Sequence, residues 1–172
     1  MSLICVSLME NTVSDMVKAA DKCKSLGADI IELRLDYLRE GPSFSTIEKL
    51  AKLNEITGLP LIFTVRPKWE GGNFKGDEGQ RIELLKGAIK NGFNYIDLEM
   101  KMDGKKRDEL ITSAKKSEVK TIVSYHDFQE TPSWKEILNK IKECINTGAD
   151  ISKVVYYNKS IDDLKLKISF LF

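Results

Sequence analysis

The sequence predicts an α/β fold of the (β/α)₈ TIM-barrel type, incomplete, with about six βα units present. Short apolar runs rich in β-branched residues alternate with amphipathic helical stretches from one end of the chain to the other. Strand runs that are apolar nearly throughout indicate a parallel sheet covered by helices. A doubly wound sheet and a barrel both fit this alternation, and an internal repeat favours the barrel.

The repeat lies in the second, fourth and sixth strand segments. The segments that align at a helix-ending glycine are GADIIELR (27–34), GFNYIDLE (92–99) and GADISKVV (148–155). Five residues after each glycine, a polar residue lies within an apolar run: Glu32, Asp97 and Lys153. Alternate strands of a barrel contribute side chains to one interior layer. The repeat therefore predicts that these three side chains point inward at similar heights.

Six strands are predicted from runs of β-branched and aromatic residues bounded by turn residues. They are LICVSL (3–8), ADIIELRLD (28–36), PLIFTVR (60–66), NYIDLEM (94–100), VKTIVSYHD (119–127) and DISKVVYY (150–157).

Capping patterns predict where the helices between these strands begin. The first helix is expected from Thr12 to Gly27. A capping-box pattern at Ser45 and Glu48 predicts a second helix, and another at Asp77 and Gln80 predicts a third. A polar helix follows over roughly 104–117. The pair Thr131-Pro132 predicts the start of the next helix, and a last helix is expected from Ser160.

The chain length predicts one partial barrel domain over residues 1–172. A complete barrel of eight units needs at least about 200 residues. We therefore expect a barrel truncated at its C-terminal end, with the first and sixth strands as unpaired edges unless a partner covers them.

Composition narrows the class of protein. The net charge of +1 gives no electrostatic case for nucleic acid or a membrane as a partner. Three cysteines without CxxC spacing argue against a disulfide framework or a zinc site, and fit small buried side chains in a reducing compartment. No signal peptide or membrane-spanning run is recognisable, so we expect a cytoplasmic protein.

Lys153 and His126 carry the strongest chemical signal. A lysine in an apolar strand is costly unless its charge is paired or its pKa is lowered, and a lowered pKa makes the amine a nucleophile towards carbonyls. His126, the single histidine, ends the neighbouring strand, so that both groups can reach one substrate. This pattern predicts Schiff-base chemistry. The alternatives are an ion pair of Lys153 with Glu32 or Asp97, and a hydrogen-bonded structural histidine.

Two further segments carry charge near the expected mouth of the barrel, which is the end formed by the C-terminal ends of the strands. Arg66 ends the third strand, where its planar fork suits a carboxylate, and Glu70 follows in a glycine-containing loop. The alternative is a surface loop with an incidental ion pair. Glu32 and Arg34 alternate with apolar residues in the second strand, which indicates either an interior pair or a half-exposed edge strand.

Motifs along nearly the whole chain resemble type I 3-dehydroquinate dehydratase (3-dehydroquinase), the Schiff-base dehydratase of the shikimate pathway. They are ICVSL (4–8), GADIIELRLDYL (27–38), FTVR (63–66), EGG (70–72), DLEM (97–100), IVSYHD (122–127) and GADISK (148–153). The combination of DLEM, a spacer and IVSYHD is specific to that family.

The resemblance implies a role for each matching residue. Lys153 is expected to form an imine with the C3 ketone of 3-dehydroquinate, and His126 to remove a C2 proton and then protonate the leaving C1 hydroxyl. Glu70 matches an acidic residue that helps to position the histidine. Glu32, Arg34 and Arg66 match substrate-binding positions. This chemistry needs no metal or dissociable cofactor, and we expect a homodimer.

The family pattern continues with two further βα units, which supply an arginine, a serine and a glutamine that have no counterpart here. Two alternatives therefore stay open. One is a Schiff-base aldolase of the same barrel type, and the other is a catalytically inactive incomplete barrel that acts as an oligomeric or structural protein.

Overall fold

A computed structural model describes residues 3–161, and within them six parallel strands form one sheet. The strands are β1 (Cys5–Leu8), β2 (Ile30–Arg34), β3 (Leu61–Thr64), β4 (Tyr95–Glu99), β5 (Lys120–Asp127) and β6 (Ile151–Tyr156). They lie side by side in the order of the sequence. This order differs from that of a doubly wound sheet, in which the strand order reverses.

The sheet curls into part of a barrel. In a flat sheet, strands four places apart lie about 19 Å apart, because neighbours are spaced by about 4.8 Å. Yet Lys153 Nζ on β6 lies 3.1 Å from Glu32 Oε1 on β2 and 3.4 Å from Asp97 Oδ2 on β4. The predicted barrel-type fold and the predicted interior layer of these three residues are both confirmed.

The helices lie between successive strands. They are α1 (Val13–Ser25), α2 (Phe44–Ala51), α3 (Leu53–Thr57), α4 (Glu78–Lys90), α5 (Gly104–Lys116) and α6 (Trp134–Asn146). Thr12 caps α1 by accepting a hydrogen bond from the Asp15 N–H, and Asp77 and Gln80 form the predicted capping box of α4. Among the described residues, no helix is long and apolar enough to cross a bilayer.

Two predicted helix starts were wrong. The cap of α2 is Ser43, whose side chain accepts a hydrogen bond from the Thr46 N–H, and not Ser45. Helix α6 begins at Trp134 with Ser133 as its N-cap, and the Ser133 N–H donates to Glu136. The Thr131 hydroxyl donates instead to the carbonyl of Tyr157, the residue after β6. The last predicted helix, from Ser160, has only its first two residues within the described part, so this prediction falls outside it.

The outer face of the sheet forms the apolar core with the helices. Helix α1 buries Met16, Ala20 and Cys23, which recur at helical spacing on one face. Phe63 of β3 packs edge to face against Phe93, with ring centroids 5.1 Å apart. Each such fully buried side chain contributes about 1.5–3 kcal/mol to folding. The inner face of the sheet is different, because it is lined by charged side chains.

Candidate active site

The inner face and the C-terminal ends of the strands bury an unusual number of charges. The buried charged side chains are Glu32, Asp36, Arg66, Glu70, Arg81, Asp97 and Glu99. A buried charge is costly unless a partner of opposite sign and hydrogen bonds compensate it. Each of these side chains is therefore expected to lie where a group of opposite charge can bind it.

Lys153 lies at the centre of this cluster as a paired ammonium. Its Nζ contacts Glu32 and Asp97, and its side chain is 32% exposed. Burial acts to lower the pKa of Lys153, but Asp97 and Glu32 outweigh it, and the pKa is raised above its usual value. Of the two possibilities that the sequence left open, pairing applies in this structure and the lowered pKa does not.

Asp97 is held from three sides. The Arg66 guanidinium donates to Asp97 Oδ1 at 3.0 Å and to Oδ2 at 2.9 Å. The hydroxyl of Ser124 donates to Oδ1 at 2.5 Å. Burial opposes ionisation, but Arg66 and Lys153 hold the pKa of Asp97 well below its usual value. Asp97 is therefore a fixed negative charge beneath the Lys153 amine.

Replacing Asp97 with alanine is expected to lower the free energy of unfolding by about 3–5 kcal/mol, because Arg66 and Lys153 lose a buried counter-charge. Urea unfolding followed by circular dichroism measures the change. The matched control is Asp108→Ala on α5, where the carboxylate is exposed and its ion pair with Arg107 spans 3.8 Å. We expect the control to change stability by less than about 1 kcal/mol. Equal losses in both variants would contradict a buried role for Asp97.

Arg66 is enclosed by its partners. Besides Asp97, it donates to Glu99 Oε1 at 2.9 Å and to Ser124 Oγ at 2.7 Å, and its side chain is 2% exposed. Glu99 also accepts from Arg81 of α4, which in turn binds Glu78. The Arg66 guanidinium, which the sequence suggested as a ligand for a substrate carboxylate, thus binds Asp97 in this structure. A direct role of Arg66 in substrate binding stays a prediction.

Arg34 lies two residues beyond Glu32, towards the mouth. It forms a bidentate pair with Asp36, with both N···O distances at 2.9 Å, and its side chain is 15% exposed. Asp36 also accepts a hydrogen bond from the Asn73 N–H at 3.0 Å. This pair connects the end of β2 to the loop after β3. Arg34 is therefore better placed than Arg66 to meet a ligand at the mouth.

His126 is oriented by Glu70. One oxygen of Glu70, Oε2, accepts the main-chain N–H of His126 at 2.9 Å and lies 2.9 Å from the ring atom Nδ1. Burial acts to raise the pKa of Glu70, but contacts with His126 and Lys101 lower it below its usual value. Because an ionised carboxylate can only accept hydrogen bonds, we assign the proton to Nδ1, which leaves Nε2 to act on a ligand.

Gly71 allows the loop that carries Glu70 to approach His126 closely. The His126 ring stacks on Phe128, with ring centroids 5.9 Å apart. Gly71 has φ +74°, and a Cβ at this position would lie 2.4 Å from a ring atom of Phe128. A side chain at residue 71 would therefore strain the backbone and require the Phe128 ring to move away from its stacked position.

Strand pairing brings His126 near Lys153. In the β5–β6 register, Ser124 lies beside Lys153, and His126 lies beside Val155. Lys153 and His126 are thus on neighbouring strands and offset by two residues, or about 6.6 Å along the strand. Residues two apart on a strand point to the same face. One small molecule at the mouth can therefore contact both the amine and the imidazole.

Sequence reasoning missed several residues of this site: Ser7, Thr64, Lys101 and Ser124. Ser7 and Thr64 donate hydrogen bonds to the two oxygens of Glu32. A signal for Ser124 exists in the sequence, since it precedes His126 by two residues and so shares its face. Lys101 follows the end of a strand, where alternation gives no such signal.

A cavity of about 610 Å³ lies beside this cluster and not within it. It is bounded by the connection between β2 and α2 and by the start of α4, with Leu38, Phe44, Phe74 and Leu84 among its lining residues. Asp36 also lines it, so the cavity borders the Arg34–Asp36 pair. In residues 3–161, no group of three or more acidic, cysteine or histidine side chains is placed to hold a metal ion.

The fold and the site define a (β/α)₈-type protein with a lysine–carboxylate centre beside a glutamate-bound histidine. The chain belongs to the type I 3-dehydroquinase family, whose model matches residues 4–169. This confirms the family predicted from the sequence and, with it, the class of enzyme, a hydro-lyase.

Known relatives resemble the chain over almost its full length. It is 40% identical to the 3-dehydroquinate dehydratase of Methanococcus vannielii, over 96% of this chain and 72% of that protein. It is 37% identical to the chloroplastic bifunctional 3-dehydroquinate dehydratase/shikimate dehydrogenase of Arabidopsis thaliana, over 95% of this chain but 26% of the plant protein. A type I 3-dehydroquinate dehydratase from Clostridium difficile, solved with covalently modified comenic acid, superimposes with a TM-score of 0.89 at 29% identity, over 97% of this chain and 68% of that one.

Proposed function

We propose that this chain dehydrates 3-dehydroquinate to 3-dehydroshikimate through an imine on Lys153. The observation that carries the proposal is the position of the Lys153 amine. It lies where β2, β4 and β6 converge, between two carboxylates and one strand away from His126. The family relationship supports the substrate, because the relatives are 3-dehydroquinate dehydratases.

The first step joins Lys153 to the substrate. The neutral amine attacks the C3 carbonyl, and the carbonyl oxygen leaves as water to give an imine. Because Asp97 and Glu32 raise the pKa of Lys153, the amine must lose a proton before it attacks, and this step should accelerate as the pH rises. The protonated imine carries the same positive charge as the ammonium. The two carboxylates that pair with the free amine therefore also stabilise the intermediate.

The second step is elimination. The protonated imine withdraws electrons from C2, and His126 Nε2 removes a C2 proton to give an enamine. The imidazolium then protonates the C1 hydroxyl, which leaves as water, and hydrolysis of the resulting imine releases the product and the amine. Glu70, ionised because its pKa is lowered, compensates the imidazolium charge.

Binding of the substrate is assigned to the mouth. We propose that Arg34 and Glu32 contact substrate oxygens, since Arg34 is the less buried of the two arginines at strand ends and Glu32 faces Lys153. Arg66 contributes through Asp97 and Glu99, with which it is paired. It would contact substrate directly only if one of these pairs opened.

Turnover of 3-dehydroquinate by the purified chain, followed as the enone absorbance of 3-dehydroshikimate, tests the proposal. We expect enone to form, and no cleavage of fructose 1,6-bisphosphate offered as the control substrate. A folded sample that forms no enone would contradict the proposal and favour the inactive barrel. Cleavage of the sugar phosphate would favour the aldolase, which the pairing of DLEM with IVSYHD argues against.

We also propose that the protein acts as a homodimer in the cytoplasm. Its three cysteines are free thiols, and two of them are buried, which suits a reducing compartment. In the described residues β1 and β6 are the edge strands, and they carry exposed apolar side chains, Ile4 next to β1 and Ile151 on β6. A partner that covers these edges would remove the hazard of open strand edges. Sedimentation at micromolar concentration tests this, and a monomer throughout would contradict it.

A further inference from the structure

Lys101 contacts the glutamate that orients the catalytic histidine. It follows β4 by two residues, and its Nζ lies 3.1 Å from Glu70 Oε1. The other oxygen, Oε2, binds His126. Glu70 thus bridges an ammonium and an imidazole. We infer that Lys101 is a positioning residue for the dehydration step, which fixes the Glu70 carboxylate against His126; this inference rests on the proposed function.

Glu70 Oε1 needs the charge that Lys101 supplies. This oxygen is buried and accepts no hydrogen bond of good geometry from the residues between 3 and 161. The ammonium of Lys101 therefore compensates it as an ion pair, which tolerates a wider range of angles than a hydrogen bond does. Without Lys101, the carboxylate would be held through Oε2 alone and could rotate away from Nδ1.

The position of Lys101 is itself fixed by the strand that carries His126. Its Nζ lies 4.7 Å from the ring centroid of Tyr125, the residue before His126. Lys140 of α6 approaches the same ring at 4.7 Å. Lys101 is therefore tied to β5 by a cation–π contact and to Glu70 by the ion pair. Since its side chain is 47% exposed, we expect its effect on catalysis to be moderate.

The charged groups around Glu70 come from several elements. The His126 imidazole faces it from β5, and the Lys101 ammonium faces it from the end of β4. From the helices, the Cys144 thiol of α6 interacts electrostatically with Glu70, and Lys140 and Glu143 of α6 and Arg107 of α5 interact with that thiol. His126 and Lys101 both lower the pKa of Glu70, and removal of Lys101 should therefore raise it.

The test compares Lys101→Gln with Lys101→Arg, which keeps the charge. We expect Lys101→Gln to lower kcat about two- to fivefold with KM nearly unchanged. The loss should be larger at the acid end of the pH range, because removal of the Lys101 ammonium lets Glu70 take up its proton at a higher pH. Lys101→Arg should restore both the rate and its pH dependence. The control is Lys116→Gln at the C-terminal end of α5, which removes the same charge at the opposite end of the barrel and should change neither.

A second readout does not depend on turnover. Because the chain has a single histidine, its imidazole NMR signal reports on His126 alone. In Lys101→Gln, the chemical shift of this signal at a fixed pH should change, because the Glu70 carboxylate that contacts Nδ1 is no longer paired with the Lys101 ammonium. A changed chemical shift in a chain that forms no enone would contradict the proposed function but support the Lys101 contact. An unchanged chemical shift together with an unchanged kcat at every pH would overturn the role of Lys101 and leave the proposed function intact.

Discussion

Lys153→Ala is expected to lower the turnover of 3-dehydroquinate by about four orders of magnitude or more, because the variant has no amine to form the imine. The fold should survive the change. Glu32 keeps its hydrogen bonds from Ser7 and Thr64, and Asp97 keeps Arg66. Steady-state rates and circular dichroism measure the two effects.

Lys153→Arg is the matched control for charge. The guanidinium keeps a positive charge between Glu32 and Asp97, but it stays protonated and cannot form an imine. We expect Lys153→Arg to be as inactive as Lys153→Ala. If the arginine variant retained turnover within tenfold of the original chain, Lys153 would act through its charge, and the assignment as nucleophile would be wrong.

His126→Ala is expected to slow dehydration by about two to four orders of magnitude, the usual contribution of a general acid–base group. The imine should still form, since Lys153 and its carboxylates are unchanged. Glu70 should also stay in place, because it accepts the main-chain N–H of residue 126 as well as the ring contact. Single-turnover kinetics, with imine formation and product release followed separately, distinguish the two steps.

Phe128→Leu is the control for packing around the imidazole. It removes the ring stacked on His126 but leaves the contact between Glu70 and Nδ1. We expect a loss of less than about tenfold, since no proton-transfer group is removed. Turnover at the original rate in His126→Ala would refute its acid–base role. A loss in Phe128→Leu as large as that in His126→Ala would show that packing, rather than proton transfer, sets the rate.

The interior layer could be predicted because it follows from periodicity. Helix-ending glycines precede β2, β4 and β6, and the fifth residue after each of these glycines points inward. This argument alone places Glu32, Asp97 and Lys153 together, although Glu32 and Lys153 are 121 residues apart in the chain. Local alternation and the order of strands were sufficient for the fold and for the centre of the site.

The charge state of that centre could not be predicted in the same way. Whether Lys153 is paired or has a lowered pKa depends on how close the carboxylates of Glu32 and Asp97, on two other strands, lie to its amine. Arg66 illustrates the same limit. Its position at the end of β3 suggested a ligand for substrate, but its fork meets Asp97, 31 residues later, across the sheet. Pairing across strands decides where a long side chain points, and spacing in the sequence does not encode it.

Residues beyond the strand ends were the hardest to anticipate. Lys101 lies in the turn after β4, where neither strand nor helix periodicity applies, and its contact with Glu70 depends on the path of the loop after β3. The caps of α2 and α6 were misplaced for a related reason. Several serine and threonine residues near each helix start could serve as the cap, and tertiary contacts such as that of Thr131 with Tyr157 decide among them.

Borohydride reduction in the presence of 3-dehydroquinate, followed by peptide mapping with mass spectrometry, tests the central claim most directly. Reduction converts an imine into a stable amine, so the labelled peptide identifies the nucleophile. We predict a single adduct, carried by Lys153. An adduct on a different lysine, or turnover of 3-dehydroquinate without any trapped adduct, would contradict the account of the site given by the fold.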